Sequence, residues 1–425
     1  MFSDFKSVFQ GRKFIYLWSS QVLSQLTIQI MNFLLLVRLF QLTGSAIATS
    51  FLWISYALPS LLIGPIAATS VDLIDRRKVL IIANLLQALT ILSFALLHEG
   101  RLFLLFGVVF LYSFINQFYV TAESATLPDL VDKKFLPQAN GLFFLTQEAS
   151  IIVGFGVAGF LLGFLGFTNA LFTCSLLVIF AFISTLFLPK GKYQTLNTKG
   201  LEKDFWKFFG RLKEGYDFIK THKKILMPFF LLMGAQIALS IVIVNIPLFA
   251  TEIVKVNLNY AGLVIVAPSG LGAIIAALSI PKILGRGVRK KEIIEYSLGF
   301  ISLIFFVFVF IIPILGSLER IVTSILLVIF TGYFFVGVII PSQTFLQEAT
   351  PGGLRGRVFG NFWFLATVAS VLPVIFSGAV SELLGIKLLF SLLGGVVLAG
   401  LIISKKYGQK IIQAEFGLQS DKIMS

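Results

Sequence analysis

The sequence has few charged residues for its length. Asp, Glu, Lys and Arg make up 13% of the 425 residues, whereas soluble domains keep about 25%. Hydrophobic residues make up 57% of the chain, and the mean hydropathy is +0.95. Polar side chains cannot cover such a chain in water, so we expect an integral membrane protein whose solvent is lipid.

Reactive and metal-binding side chains are equally scarce. Cys174 is the single cysteine, so no intramolecular disulfide can form, and it has no partner base. The two histidines, His98 and His222, lie in short polar stretches and cannot build a metal site alone. No phosphate-binding glycine loop is present. We therefore expect no enzyme, no catalytic or metal site and no cofactor.

What the sequence does contain is apolar runs. Twelve of them are near the ~20 residues that cross a ~30 Å hydrocarbon core. They are predicted at 14–39, 47–70, 78–97, 102–122, 139–165, 168–188, 225–250, 260–281, 292–313, 319–342, 356–380 and 384–404. The prediction is an all-α membrane protein with twelve transmembrane helices in two six-helix bundles.

The basic residues are distributed unequally between the two sides of these helices. Of 34 Lys and Arg, 29 fall on the side of the N-terminus. The five on the other side are Arg38, Arg101, Lys255, Arg320 and Lys387. Because basic loops stay in the cytoplasm, both termini are predicted there, in a bacterial inner (plasma) membrane. The net charge of +14 is therefore topological, and we expect contact with membrane lipid and no nucleic-acid partner.

A basic loop divides the helices six from six. The predicted domains are an N-terminal bundle (1–188), a cytoplasmic basic linker (189–224) and a C-terminal bundle with a cytoplasmic tail (225–425). Within the linker, Phe205 to Ile219 has apolar residues at helical spacing with bases between them, which predicts an amphipathic helix on the inner membrane surface.

The two halves also share a pattern. Three glycines recur 219 residues later, and the basic cluster 76–78 recurs 213 residues later, at 289–291. The glycine pairs are Gly141 and Gly360, Gly159 and Gly378, and Gly166 and Gly385. Such recurrence predicts two parallel repeats, an arrangement in which transporters hold a central cavity and rock one half against the other.

The loop after predicted helix two reads ATSVDLIDRR and ends at Arg77. Together with the twelve helices, it resembles the major facilitator superfamily, whose signature for this loop is Gly-x-x-x-Asp-Arg-x-Gly-Arg-Arg/Lys. Asp72 and the pair Arg76–Arg77 match the signature. Ala68, Leu73 and Asp75 replace its Gly, Arg and Gly.

An acid at the position of Asp75 is typical of the macrolide-efflux and enterobactin-exporter branch. Other segments are similar to that branch: LTGSA (Leu42–Ala46), LPDLV (Leu127–Val131), ANGL (Ala139–Leu142) and LRGRVFG (Leu354–Gly360). The resemblance implies a small-molecule transporter and names no substrate.

Charges beside hydrocarbon in this loop can serve a cytoplasmic gate. Asp72 can approach the positive N-terminus of a neighbouring helix, for which the resemblance implies helix eleven. Arg76 and Arg77 can pair with Glu123 or Asp129 at the inner end of helix four. Glu123 and Glu348 each lie near a helix end, and we expect both to reach interfacial water. Asp75 is counted with the gate. The alternative is an ordinary turn that only sets topology.

Amides follow one face of predicted helix one, at Gln21, Gln25, Gln29 and Asn32. An unpaired amide is costly in hydrocarbon, so this face must meet protein or a wet cavity. We expect a substrate cavity, with hydrogen bonding between packed helices as the alternative. Further candidates for the cavity are Asn116, Gln236, Asn245 and Asn361.

Glu148 is the acid that the sequence places deepest in a span, about nine residues into predicted helix five. An acid at that depth is a functional hypothesis by default. It can carry a proton, bind a cationic substrate, or serve as a neutral structural carboxyl.

The function expected is export of a small amphipathic, drug-like compound by alternating access, driven by protons, from a protein that works as a monomer. A siderophore or metabolite exporter, or an importer, of the same fold is the nearest alternative. A membrane receptor or embedded enzyme is the alternative from another class, although the linker is too short for a folded sensory domain.

Topology provides the first test. Reporter fusions after Lys199 and after Tyr407 should both report the cytoplasm, because basic residues flank them. A fusion after Lys255 should report the outside. Reversal at any of the three positions would contradict the twelve-helix arrangement.

Overall fold

The computed structural model describes residues 9, 11–71, 74–99, 101–132, 135–189 and 355–423, and residues 210–351 except 211–213, 215, 218 and 222. Within these ranges the side chains of some helical residues, among them Glu148 and Asn361 and all those after 406, lie outside the description. Asp72 and most of the predicted linker helix 205–219 lie outside it as well.

The described chain is helical and contains no strand. The first helices are α1 (Arg12–Thr43), α2 (Ala46–Ser70), α3 (Arg76–Leu97) and α4 (Phe103–Leu130). A single element, Leu136–Leu186, follows and is broken at Gly166, where φ is 77° and ψ is 172°. We call its arms α5 (136–165) and α6 (167–186).

The later helices are α7 (Lys223–Val244), α8 (Ala267–Gly285), α9 (Lys290–Phe310), α10 (Ser317–Ala349), α11 (Arg355–Leu383) and α12 (Ile386–Ile423). A helical turn (Ile246–Leu248), a π-helix (Phe249–Val254), a 3₁₀ turn (Leu258–Tyr260) and a second π-helix (Gly262–Val266) connect α7 to α8. A 3₁₀ turn, Ile312–Ile314, precedes α10.

Eleven described helical segments are long and apolar enough to cross a membrane. One of them is the element broken at Gly166, whose 51 residues would measure about 76 Å at 1.5 Å per residue, more than twice a ~30 Å core. It therefore supplies two spans, and the total is the twelve that the sequence predicts. Gly385, which the repeat pairs with Gly166, also has a positive φ, 89°, between α11 and α12.

The described chain divides into two compact units. The first comprises 1–210 together with Leu258–Ala267, and the second comprises 211–257 together with 268–425. The predicted boundaries at 188 and 224 differ somewhat from this division and stay a prediction. In the first unit, α1 packs along α5 and has the largest buried share of any span. Its core around Phe14, Leu17, Leu80 and Tyr119 is fully enclosed.

Local sequence signals explain where the first helices begin and end. Gly44 has a φ of 64°, and its N–H donates to the carbonyl of Phe40 at 2.7 Å, which ends α1. Ser45 then caps α2 by accepting from the N–H of Ala48 at 3.1 Å. The LTGSA segment is therefore the turn that reverses the chain between the first two helices.

Two glycines of the second unit let α8 and α10 approach closely. A Cβ placed on Gly332 would overlap the carbonyl oxygen of Ser269, and one on Gly272 would overlap that of Ile329. Small residues at a helix crossing bring two backbones into van der Waals contact, which is a main source of association in lipid. The crossing therefore depends on glycine at both positions.

Gly332→Ala should lower the thermal unfolding midpoint of the purified protein in detergent. The added methyl group meets backbone, which cannot turn aside, and overpacking of this kind costs about 1–3 kcal/mol. Gly395→Ala on α12 is the matched control because its Cβ would meet open space. Equal midpoints for the two variants would contradict this account of the crossing.

Candidate functional site

A chain of buried polar side chains connects three helices of the first unit. Ser20 and Ser24 belong to α1, Asn84 to α3, and Tyr119 and Glu123 to α4. Each side chain is at most 3% exposed. Because each pair on α1 and α4 is four residues apart, its members lie one above the other on a helix face.

The hydrogen bonds of this chain, which we call the polar chain, form one continuous path. Ser24 Oγ donates to Asn84 Oδ1 at 3.1 Å, and Asn84 Nδ2 donates to Ser20 Oγ at 3.1 Å. Ser20 Oγ lies 2.9 Å from the Tyr119 hydroxyl, which donates to Glu123 Oε1 at 3.0 Å. Since Tyr119 gives its only proton to Glu123, Ser20 must donate to Tyr119. Every donor therefore points towards the carboxyl group.

The burial of Glu123 corrects one expectation. The sequence places it near a helix end, in reach of interfacial water, but the structure encloses it to 3% exposure among α1, α3 and α4. Glu123 is buried because α1 packs over this face of α4. The position of a residue along its own helix does not show which neighbouring helix covers it. The spacing of Tyr119 and Glu123 was the available signal.

The residues predicted to form the gate lie at the start of α3 and at the end of α4. Arg76 Nη1 lies 3.0 Å from Asp129 Oδ2 and donates to the carbonyl of Ala125 at 2.7 Å. Pro128, inside α4, has no N–H to donate to the preceding turn and so disturbs the helix at this end. Of the two carboxylates that the sequence offered to Arg76, Asp129 is the one in contact.

The other gate residues divide their roles. Arg77 Nη2 donates to the carbonyl of Leu186 at 2.6 Å, at the end of α6. Asp75 is the N-cap of α3: it is 7% exposed and accepts from the N–H of Arg77 at 3.0 Å. An aspartate N-cap contributes about 1 kcal/mol, which explains an acid where the signature has glycine.

A base–acid pair like that of Arg76 and Asp129 occurs at the equivalent place in the second unit. Lys290, the first residue of α9, contacts Glu348, the second-to-last residue of α10. Arg76 is likewise the first residue of α3, and Asp129 is the second-to-last residue of α4. The correspondence is that of a duplicated helix pair.

The amides of α1 fall into two groups. Gln21 is 3% exposed; its Nε2 donates to the carbonyl of Phe143 at 3.1 Å, and its buried Oε1 has no partner among the described residues. Gln25, Gln29 and Asn32 are partly exposed, and their side chains make no hydrogen bond to described residues. α5 approaches α1 here through a glycine, because a Cβ on Gly154 would lie 2.6 Å from the Cβ of Gln29.

The remaining amides lie apart from that row. Asn116 accepts from Gln87 Nε2 at 3.3 Å. Gln87 is fully buried and was not a candidate, although it is an amide within an apolar run; its Oε1 has no partner among described residues. Asn245 is fully buried and bonds to Ser377 and Ser381 of α11 at 3.1 and 2.6 Å, which is hydrogen bonding between packed helices.

Three further residues that the sequence predicts for the cavity or the proton site lie on α5, α7 and α11. Gln236 is partly exposed on α7. The side chains of Glu148 on α5 and Asn361 on α11 lie outside the described part of the structure. Among the residues that the structure describes, no group of three His, Cys, Asp or Glu could hold a metal ion.

An apolar groove of about 290 Å³ lies in the second unit between α7 and α11. Phe229, Met233 and Leu365 line it, with Lys220 at its side. None of the predicted substrate residues lines this groove, so we do not assign it to the substrate.

The outer end of the first unit is held by a different cluster. His98 Nε2 and Thr168 Oγ1 are 3.0 Å apart, and the guanidinium of Arg38 lies 5.3 Å from the centre of the Phe167 ring. Burial, and then the positive charge of Arg38, lowers the pKa of His98 below its usual range. The Arg38 guanidinium is therefore placed for a cation–π contact with the Phe167 ring.

Comparison with known proteins gives a consistent result. The family model described as "Major Facilitator Superfamily" matches residues 17–374. A Bacillus subtilis (strain 168) protein described as the uncharacterized MFS-type transporter YfiS is 25% identical over 422 residues, which cover 95% of this chain and 96% of that protein.

Two further similarities are narrower in what they show. Macrolide efflux protein A of Streptococcus pyogenes is 32% identical over 154 residues, which cover 35% of this chain and 38% of that protein. The crystal structure of the nucleoside transporter NupG has a TM-score of 0.65 at 16% identity, over 92% of this chain and 98% of that one. The NupG likeness shows the fold alone.

Removing charges of the predicted gate should favour inward-open forms. The variants are Arg76→Ala combined with Arg77→Ala, and separately Asp72→Asn, in a protein that carries Cys174→Ala and a cysteine at position 25 in place of Gln25. We expect either variant to raise maleimide labelling of that cysteine. A pair as exposed as Arg76–Asp129 contributes at most about 1 kcal/mol, which changes a two-state ratio about fivefold.

Lys78→Ala is the matched control for that experiment, since Lys78 is an exposed base of the same helix turn. If the gate variants are expressed normally and their labelling does not change, the gate hypothesis is wrong and the loop only sets the topology.

Proposed function

The chain belongs to the Major Facilitator Superfamily, and we propose that it is a secondary active transporter that exports a small amphipathic, drug-like compound in exchange for protons. It works by alternating access, as a monomer in a bacterial inner membrane with both termini in the cytoplasm. Membership of this family implies a membrane transporter with a small-molecule substrate and no enzymatic activity. Substrate class, direction, proton coupling, the alternating-access mechanism, oligomeric state, the identity of the membrane and the orientation are proposals.

The direction of transport is supported by one observation, the 32% identity to macrolide efflux protein A. That similarity covers a little over a third of either chain, so the substrate named there is not carried over. Segments of both halves, among them LTGSA, the loop ending in Arg77 and LRGRVFG, resemble the efflux branch.

The character of the substrate is inferred from the polar residues of the spans. Gln25, Gln29 and Asn32 are partly exposed amides whose side chains make no hydrogen bond to described residues. Amides offer donors and acceptors without charge, which suits a compound with scattered polar groups on an apolar body. Gln21, Asn116, Gln236 and Asn361 complete the proposed cavity set. Asn245 is withdrawn from it, because its side chain is fully buried and bonds to Ser377 and Ser381 of α11.

Proton exchange is proposed to use Glu148. It is the acid that lies deepest along a predicted span, and its helix, α5, packs along α1, which carries the amide row. A carboxyl that exchanges a proton at such a depth changes its charge, and the charge state can bias which side of the membrane the protein opens to. The same carboxyl could instead bind a cationic substrate.

The test is transport by the purified protein in liposomes with an imposed pH gradient. Ethidium, a macrolide and a siderophore are offered in turn while an internal pH dye is followed. Glu148→Gln should abolish uphill transport and leave passive exchange intact, because the amide imitates the neutral carboxyl. Glu99→Gln, an exposed acid of the loop before α4, is the matched control.

Other outcomes have definite meanings. Weaker transport of ethidium alone by Glu148→Gln would assign Glu148 to cation binding. Full uphill transport by the variant would exclude the proton role, and no movement of any compound by the wild-type protein would argue against the proposed export.

A further inference from the structure

We propose that Glu123 is a proton-binding site, separate from Glu148, and that the polar chain transmits its protonation from α4 to α1. The observations are burial, the direction of the hydrogen bonds and the absence of the pair of Tyr119 and Glu123 from the second repeat. The binding step stands by itself; only its use in driving export rests on the proposed function.

Glu123 has no counter-ion among the residues that the structure describes. Among the described residues, no Lys or Arg lies within ion-pair distance of its carboxyl group. Its one hydrogen bond comes from Tyr119, to Oε1. A buried carboxylate is normally paired or hydrogen-bonded on both oxygens, so Oε2 is the atom left to receive a proton.

The helices packed on α4 bring other charged or titratable groups, but these serve elsewhere. They are Arg12, Lys13, Tyr16 and Arg38 on α1, Tyr56 on α2, Asp75, Arg76, Arg77 and Lys78 at the start of α3, and Glu148 on α5. Arg76, the base that reaches α4 itself, contacts Ala125 and Asp129. No hydrogen bond or ion pair joins a described side chain of this set to the Glu123 carboxyl.

The second repeat shows that the fold does not require this arrangement. Placing Asp129 of α4 on Glu348 of α10 brings the buried positions of the two helices into register, with Leu127 on Leu346. In that register the position of Tyr119 is occupied by a buried valine, Val338 in place of the tyrosine.

The acid that ends the polar chain is replaced as well. Glu123 corresponds to Ser342, which is fully buried and whose Oγ has no partner among described residues. The hydrogen-bonded pair of Tyr119 and Glu123 therefore has no equivalent in the second repeat. The base–acid pair is kept in both repeats and the pair of Tyr119 and Glu123 in one, so the latter serves something specific to the first unit.

Protonation changes the strength of the chain at its last bond. The Tyr119 hydroxyl donates to a carboxylate when Glu123 is ionised and to a neutral carboxyl when Oε2 holds a proton. A charge-assisted hydrogen bond is about twice as strong as a neutral one, so protonation weakens the hold of α4 on Ser20. Ser20 and Ser24 precede Gln21 and Gln25 on α1, and the change therefore reaches the helix of the amide row.

The binding step is tested by infrared difference spectroscopy of the full-length protein in liposomes during a pH titration. The wild-type protein should show a protonated-carboxyl band that Glu123→Gln removes and Glu148→Gln retains. Tyr119→Phe should keep the band with a displaced midpoint, because the carboxyl has lost its donor. Ser342→Ala, at the equivalent place in the second repeat, should match the wild type.

Transmission is tested by maleimide labelling of the cysteine at Gln25 over the same pH range. Thiol deprotonation makes labelling rise with pH in every variant. Beyond that common rise, labelling should depend on pH in the wild-type background and lose this additional dependence in Glu123→Gln and in Tyr119→Phe. If Glu123→Gln does not fold, the displaced midpoint and the labelling of Tyr119→Phe decide the question.

The outcomes separate this inference from the proposed function. A carboxyl band unchanged in Glu123→Gln and Tyr119→Phe overturns the inference even where proton-driven export is found. A band that depends on Glu123, together with no transport of any compound, supports the proton site and contradicts the export.

Discussion

The lack of water inside a lipid bilayer is the constraint on which the rest of this structure depends. A polar group in a span must find its partner within the protein, and most hydroxyl groups here find it one turn back. Thr27 donates to the carbonyl of Leu23 at 2.8 Å, and Thr126 to that of Ala122 at 2.6 Å. Side chains that bond across helices instead are therefore few and informative, and the polar chain that ends at Glu123 is the longest described path of this kind.

The same constraint made much of the fold predictable. Apolar runs near span length give twelve helices, and glycine and serine in LTGSA mark the end of α1 and the cap of α2. The break at Gly166 was expected as a short connection between two helices, and the structure makes it with a single residue at positive φ. These features are local along the chain, so periodicity, capping chemistry and length suffice to find them.

Lateral contacts were not predictable in that way. A sequence gives the depth of a residue along its helix and the face it shares, but it does not give the helix that covers the face. For this reason Glu123 was expected near water, and Asn84 and Gln87 of α3 were not candidates. The choice of Asp129 over Glu123 as the partner of Arg76 has the same cause, because both acids belong to the same end of α4.

Because the chain contains two repeats, the contacts between helices in one repeat can be compared with those at the equivalent positions in the other. Two repeats that share their helix register should share whatever the fold itself needs, and the base–acid pair between the third and fourth helices of each repeat meets that criterion. The pair of Tyr119 and Glu123 does not, since valine and serine fill these two places in the second unit without loss of burial. A buried acid is harder to accommodate in lipid than the serine at the equivalent position. Its presence in one half alone is therefore best explained by a task that the two halves do not share.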